Sequence, residues 1–140
     1  MPGDPVSEGI LEVTIADTDV LIDFLKGKNE LAGIVAAELQ RGMLQTTVVT
    51  RFELLAGART PRQLEILQQL LGAVPALSLD PAAADRAAGV RRTLEVRGEP
   101  IGMGDSLIAG IVLQHGGTLL TRNRRHFERV EGLRVSGPRE

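Results

Sequence analysis

Apolar positions along this chain switch repeatedly between short β-branched clusters and a three-to-four-residue spacing, and each switch marks a change from strand to helix. Leu11 to Ala16 predicts a short strand, after which Thr18 or Asp19 caps a helix with Val20, Leu21, Phe24 and Leu25 on one face and Gly27 at its end. Asn29 is the expected cap of a second helix, in which Leu31, Ile34, Val35 and Leu39 recur at helical spacing up to Gly42. Leu44 to Val49 predicts the second strand. Thr50 and Thr60 then each open a Ser/Thr-x-x-Glu/Gln capping box, the latter with Pro61 in the first helical position, which predicts two helices or a helical hairpin. Val74 to Leu79 is the third expected strand, and Asp80-Pro81 starts a long Ala/Arg-rich helix that stops near Gly98 to Pro100. Gly104-Asp105 begins another helix, burying Leu107, Ile108, Ile111 and Val112 and ending at His115-Gly116-Gly117. Thr118 to Thr121 is the fourth strand, and Leu133 to Val135 the fifth after a helical turn at His126 to Val130. Strands separated by helices predict an α/β fold, with a mainly parallel sheet of four to five strands covered on both faces.

Composition narrows this picture. A chain of 140 residues with 43% hydrophobic content suits one domain with a sizeable core, expected over residues 11–136, between a disordered leader (1–10) and a loose tail (137–140). The opening MPGDPVSEG lacks the basic and apolar regions of a signal peptide, and no apolar run is long enough to span a bilayer. With no cysteine, disulfides and thiolate chemistry are excluded, so a reducing cytoplasm is the expected location. Three Phe and no Trp or Tyr make base stacking a minor device, so any RNA grip is expected to be directed at the backbone. The net charge of -2 decides nothing, because local patches matter more than the total.

Chemistry concentrates in three carboxylates. Parallel α/β sheets bind ligands beyond the carboxyl ends of their strands, where the connections diverge to opposite faces. Asp17 ends the first expected strand, Glu53 lies early in the helix after the second, Asp105 begins the helix that feeds the fourth, and Asn123 follows that fourth strand. Hard oxygen ligands gathered at one edge suit Mg²⁺ or Mn²⁺. Each residue also has a plainer reading: Glu53 completes the Thr50 capping box, Asp105 suits a helix N-terminus, and Asp17-Thr18-Asp19 can form a turn. Asp19 is either an extra acid or a cap, while Thr18, Ser106 and Thr121 either support ligands or phosphate or act as caps. Arg122, Arg124, Arg125 and Arg129 with His126 form a basic cluster beside the proposed site, read as phosphate contacts or as a solvated face; Arg51, Arg59 and Arg62 extend it. His115 reads as part of a helix C-terminus.

Four segments in order resemble the PIN-domain nucleases, in particular the VapC-type toxins of bacterial toxin–antitoxin pairs. They are Asp17-Thr18-Asp19-Val20-Leu21-Ile22, Glu53-Leu54-Leu55-Ala56-Gly57, Asp105-Ser106-Leu107-Ile108-Ala109, and Thr121-Arg122-Asn123 with Phe127. The resemblance spans residues 14–135 and implies a three-layer α/β/α sandwich. It also implies endoribonuclease activity by Mg²⁺-assisted phosphodiester hydrolysis, with Mn²⁺ as a substitute. Asp17 and Asp105 are then the main metal ligands, Glu53 completes the shell, and Asn123 stands where many relatives place a fourth acid. Arg122, Arg124 and Arg125 are the expected RNA contacts. A VapB-like antitoxin is the implied partner, with a homodimer and a heterotetramer or larger assembly; the apolar stretches around Leu31 to Leu39 and Leu64 to Leu71 read either as the homodimer surface or as ordinary core. Two alternatives stand beside this one. The first is a PIN-like module that binds RNA or protein without cutting. The second is a haloacid dehalogenase-like phosphatase built on Asp17-Thr18-Asp19, which lacks a distal Lys because Lys26 and Lys28 are the only two.

Overall fold

The computed structural model describes residues 12–28 and 30–138, so the expected leader, Leu11, the Asn29 cap and the last two residues lie outside it. Its strands are β1 (Thr14–Ala16), β2 (Leu44–Thr47), β3 (Ala76–Leu77), β4 (Thr118–Leu120) and β5 (Val135–Ser136). The helices are α1 (Thr18–Lys26), α2 (Leu31–Arg41), α3 (Val48–Ala56), α4 (Pro61–Ala73), α5 (Pro81–Val96), α6 (Met103–His115) and α7 (Arg124–Phe127). The sheet runs β3-β2-β1-β4-β5 with every neighbouring pair parallel.

Side-chain alternation along the strands builds two cores. On β1, Ile15 enters one and Ala16 the other; on β4, Leu119 and Leu120 divide in the same way. The Ala16 and Leu120 face packs Val20, Leu21, Val35, Leu54 and Leu71 from α1 to α4. The Ile15 and Leu119 face packs Leu94, Ile108, Val112 and Phe127 from α5 to α7. The result is the expected three-layer α/β/α sandwich. On the second face α5 and α6 approach so closely that a Cβ on Gly110 would lie 2.6 Å from the Ala83 carbonyl oxygen and from the Ala87 Cβ.

Strands are shorter than their hydrophobic runs, and the reasons lie at the caps. The N-cap of α1 is Asp17, not Thr18 or Asp19: its carboxylate accepts from the Thr18 amide. Thr47 caps α3 by accepting from the Thr50 amide at 3.1 Å, so the helix starts at Val48 and the Thr50 capping box does not form. Val48 and Val49 look like strand residues, but the Thr47 cap outcompetes their β propensity. Glu53 is thereby moved to mid-helix, and capping no longer accounts for it. The Thr60 cap is present, accepting from Gln63, with Pro61 opening α4, and Asp80 caps α5 in the same way at Ala83. The last helical turn precedes its expected position, and β5 lies at Val135–Ser136. His115 ends α6 with its ring against the Ser78 carbonyl oxygen, a structural contact. Among the described residues no helix is long and apolar enough to cross a membrane.

Candidate functional site

From β1 the chain crosses to β2 on one side, and β4 lies on the other, so the carboxyl ends of β1 and β4 frame the crevice where ligands bind in such sheets. Asp17 closes β1 there and is only 7% exposed. Its Oδ1 accepts from the Thr18 amide at 2.8 Å, and its Oδ2 from the Thr121 hydroxyl at 2.7 Å, just past β4. Thr121 Oγ1 accepts in turn from the Asn123 amide at 2.9 Å. Burial pushes the Asp17 carboxyl up to about 6 against these two hydrogen bonds, and the nearby charges of Asp19 and Asp105 add to the rise. Among the described residues no ion pair offsets a charge on Asp17.

Glu53 reaches the same crevice from α3. Thr18 Oγ1 donates to Glu53 Oε1 at 2.5 Å and lies 3.0 Å from the hydroxyl of buried Thr50, which supplies the second proton because a hydroxyl carries only one. A Cβ on Gly104 would stand 3.1 Å from Glu53 Oε2, so the lack of a side chain there gives the carboxylate its room beside α6. Asp105 lies in the first turn of α6, and its Oδ2 is 3.1 Å from His126 Nε2 on α7.

The remaining expected residues divide. Arg122 places Nε 3.1 Å from Asp23 Oδ2 and 3.8 Å from Asp19 Oδ2, and Arg124 pairs with Glu128 at 2.8 Å. Arg125 is exposed, with no ion pair among the described residues. Asn123 is exposed and lines a cavity of about 410 Å³ with Asp19, Arg122 and Pro138. Asp19 Oδ1 is buried without a hydrogen-bond partner among the described residues, and burial raises its carboxyl, opposed by Arg122. Ser106 hydrogen-bonds the Met103 carbonyl and stays local. The approach of His126 to Asp105 is not legible in the sequence, where the histidine reads as part of the basic cluster because nothing in its spacing reveals a contact with α6.

The donor set is all oxygen, and no Lys or Arg among the described residues pairs with Asp17, Glu53 or Asp105, which fits a hard divalent cation. Glu53 Oε2 and Asp105 Oδ1 each lack a hydrogen bond among the described residues, whereas their other oxygens are engaged by Thr18 and His126. As the side chains stand, no three His, Cys, Asp or Glu residues among those described converge tightly enough to hold a metal.

Known proteins share this fold. The family model described as "PIN domain" matches residues 14–133. The "tRNA(fMet)-specific endonuclease VapC" of Shigella flexneri is 33% identical over 124 residues, covering 85% of this chain and 92% of that protein. "Ribonuclease VapC10" of Mycobacterium tuberculosis is 31% identical over 120 residues, covering 86% and 90%. Among solved structures, DNA-bound VapBC from Salmonella typhimurium superposes with a TM-score of 0.79 at 24% identity, covering 90% of this chain and 98% of that one, and shares the fold. This relationship removes the phosphatase alternative: the chain belongs to the PIN domain family, among its VapC-type members.

Proposed function

We propose that this protein is a Mg²⁺-dependent endoribonuclease, with Mn²⁺ able to substitute, acting in the cytoplasm as the toxin of a VapBC-type pair. The observation that carries most weight is Asp17. A carboxyl raised to about 6 by burial and by Asp19 and Asp105 costs stability when ionised, and a bound dication offsets that cost. Asp17, Asp105 and Glu53 would hold the cation, which when bound supplies positive charge against the scissile phosphate and acidifies a water molecule.

The chain's own groups do the positioning. Thr121 and the Thr18 amide hold Asp17 in one orientation, and the Thr18 hydroxyl aims Glu53. Arg125 presents an exposed guanidinium for RNA phosphates, while Arg122 and Arg124 must exchange acidic partners to join it. Asn123 offers an amide at the rim rather than a fourth charge. An apolar cavity of about 320 Å³, lined by Ile22, Leu25, Leu54, Ile66 and Leu67 and bordered by Glu53, supports a VapB-like antitoxin as partner. Homodimers assembling with it as heterotetramers or larger are part of the same proposal.

The test is cleavage of structured RNA, beginning with initiator tRNA because the Shigella relative is named for it. Purified protein is assayed with Mg²⁺, Mn²⁺ or EDTA beside Asp17→Asn and Asp105→Asn. Metal-dependent cutting lost in both variants supports the proposal. A module that binds RNA without cutting is the second reading, favoured by the neutral Asn123 and by the absence of three converged ligands among the described residues. RNA binding with no metal-dependent cutting would establish it instead.

A further inference from the structure

The Asp105 carboxylate has two competing neighbours. One is the start of its own helix: Gly102 caps α6 without a side-chain hydrogen bond, so the first-turn amides there attract a carboxylate three residues on. The other is His126, whose Nε2 lies 3.1 Å from Asp105 Oδ2. The outcome depends on how firmly the imidazole is held.

It is held on several sides. Arg129 Nη2 lies 3.0 Å from His126 Nδ1 and 3.5 Å from Nε2. An atom in line with the Nδ1 lone pair would be far from Nε2, so nearly equal distances place the guanidinium over the ring face. Arg129 is itself pinned: Nε donates to the His126 carbonyl at 2.8 Å, and Nη1 to the carbonyls of Glu99 at 2.8 Å and Pro100 at 3.4 Å. The Phe127 ring meets the imidazole edge-to-face, with centroids 5.4 Å apart and planes at 83°. Phe127 is fully buried and anchors α7 to the second core. Nε2 of the clamped imidazole thus stands 3.1 Å from Asp105 Oδ2, where a donor suits an ionised carboxylate, which only accepts.

We propose that His126, clamped by Arg129, is a positioning residue that draws the Asp105 carboxylate off its own helix terminus and presents its other oxygen to the bound cation. Arg129 also ties α7 to the Glu99–Pro100 segment leading into α6, so one clamp fixes both the histidine and the approach to Asp105. This role rests on the metal-dependent reading given above.

The test compares Mn²⁺ binding by the intact protein, without RNA, in wild type, His126→Leu and His126→Gln, with thermal melting as the folding control. His126→Leu should weaken Mn²⁺ binding on the order of 10- to 100-fold, the range typical of removing a hydrogen-bond partner from a metal ligand. His126→Gln carries an amide donor near the position of Nε2 and should recover most of that loss, which a merely structural role would not produce. A folded His126→Leu protein that binds Mn²⁺ as well as wild type, or better, overturns the proposal. Should that variant fail to fold, Arg129→Gln serves: weaker Mn²⁺ binding supports the clamp, and wild-type affinity overturns it. If wild type binds no Mn²⁺, the metal-dependent reading falls, and this inference with it; loss of the inference alone leaves wild-type binding intact.

Discussion

Asp17 and Asp105 sit at the same sheet edge but are held by opposite means. Asp17 is part of the scaffold: its backbone amide bonds the Leu120 carbonyl, its side chain caps α1 and accepts from Thr121, and it is almost fully buried. Asp105 is half-buried on a helix start, and among the described residues its carboxylate has one side-chain partner, His126 on the peripheral turn α7. Glu53 resembles Asp105, being exposed and steered by one threonine hydroxyl. The sheet therefore supplies one immobile carboxylate at an electrostatic cost, and the helices supply two whose aim is set by exchangeable polar contacts.

Four experiments sharpen or break that comparison. The largest effect belongs to the proposed ligands: Asp17→Asn and Asp105→Asn should each lower RNA cleavage on the order of 10³-fold, several kcal/mol of lost transition-state stabilisation. Only Asp17→Asn should also stabilise the metal-free protein at neutral pH, because it removes the desolvated charge. Equal melting temperatures for both variants would erase the distinction between the two carboxylates.

The pH dependence of the metal-free protein follows from the same residue. With its carboxyl raised from 3.8 to about 6, folded Asp17 keeps a proton that the unfolded chain releases. Its stabilising contribution is therefore complete below pH 3.8 and lost as pH rises through about 6, at most about 3 kcal/mol. Denaturant unfolding across that window should reveal the decline, Asp17→Asn should flatten it, and Mn²⁺ should reduce it.

Thr121→Val tests the rigid side by leaving a buried Asp17 oxygen without its donor. It should destabilise the protein by roughly 1–3 kcal/mol in chemical denaturation. Thr18→Val is the counterpart on the adjustable side, freeing the exposed Glu53, and should cost less stability than Thr121→Val while lowering cleavage. The smallest effect is expected of Gly104→Ala, whose Cβ would stand 3.1 Å from Glu53 Oε2. The flexible end of Glu53 can move aside, so stability should change by no more than about 0.5 kcal/mol and only cleavage should fall, by a few-fold.

How far the sequence could be read depended on whether the controlling interaction was local. Caps at Thr60 and Asp80 were legible because side chain and amide are three residues apart. The cap at Thr47 was not, since Val48 and Val49 imitate a strand until the Thr47 hydroxyl takes the Thr50 amide. Asp17, Glu53 and Asp105 could be assigned to one edge from strand order alone. Their partners could not, because Thr18–Glu53, Thr121–Asp17 and His126–Asp105 join residues 35, 104 and 21 positions apart by side-chain direction, which periodicity does not encode. The basic cluster illustrates the same limit. Its arginines are adjacent in sequence, yet Arg122 is turned to Asp23, Arg124 to Glu128 and Arg129 to backbone carbonyls.

By itself, then, the sequence determined the alternation of strands and helices, hence a parallel sheet with two covered faces and three carboxylates at one edge. Those features follow from hydrophobic period and chain direction, which neighbouring residues set. Only the tertiary structure decided that Asp17 is buried without an ion pair among the described residues, that Thr18 and His126 lie against the other two carboxylates, and that Arg125 is left exposed. Burial and hydrogen-bond direction arise when distant elements pack, and the electrostatics of the site depend on both.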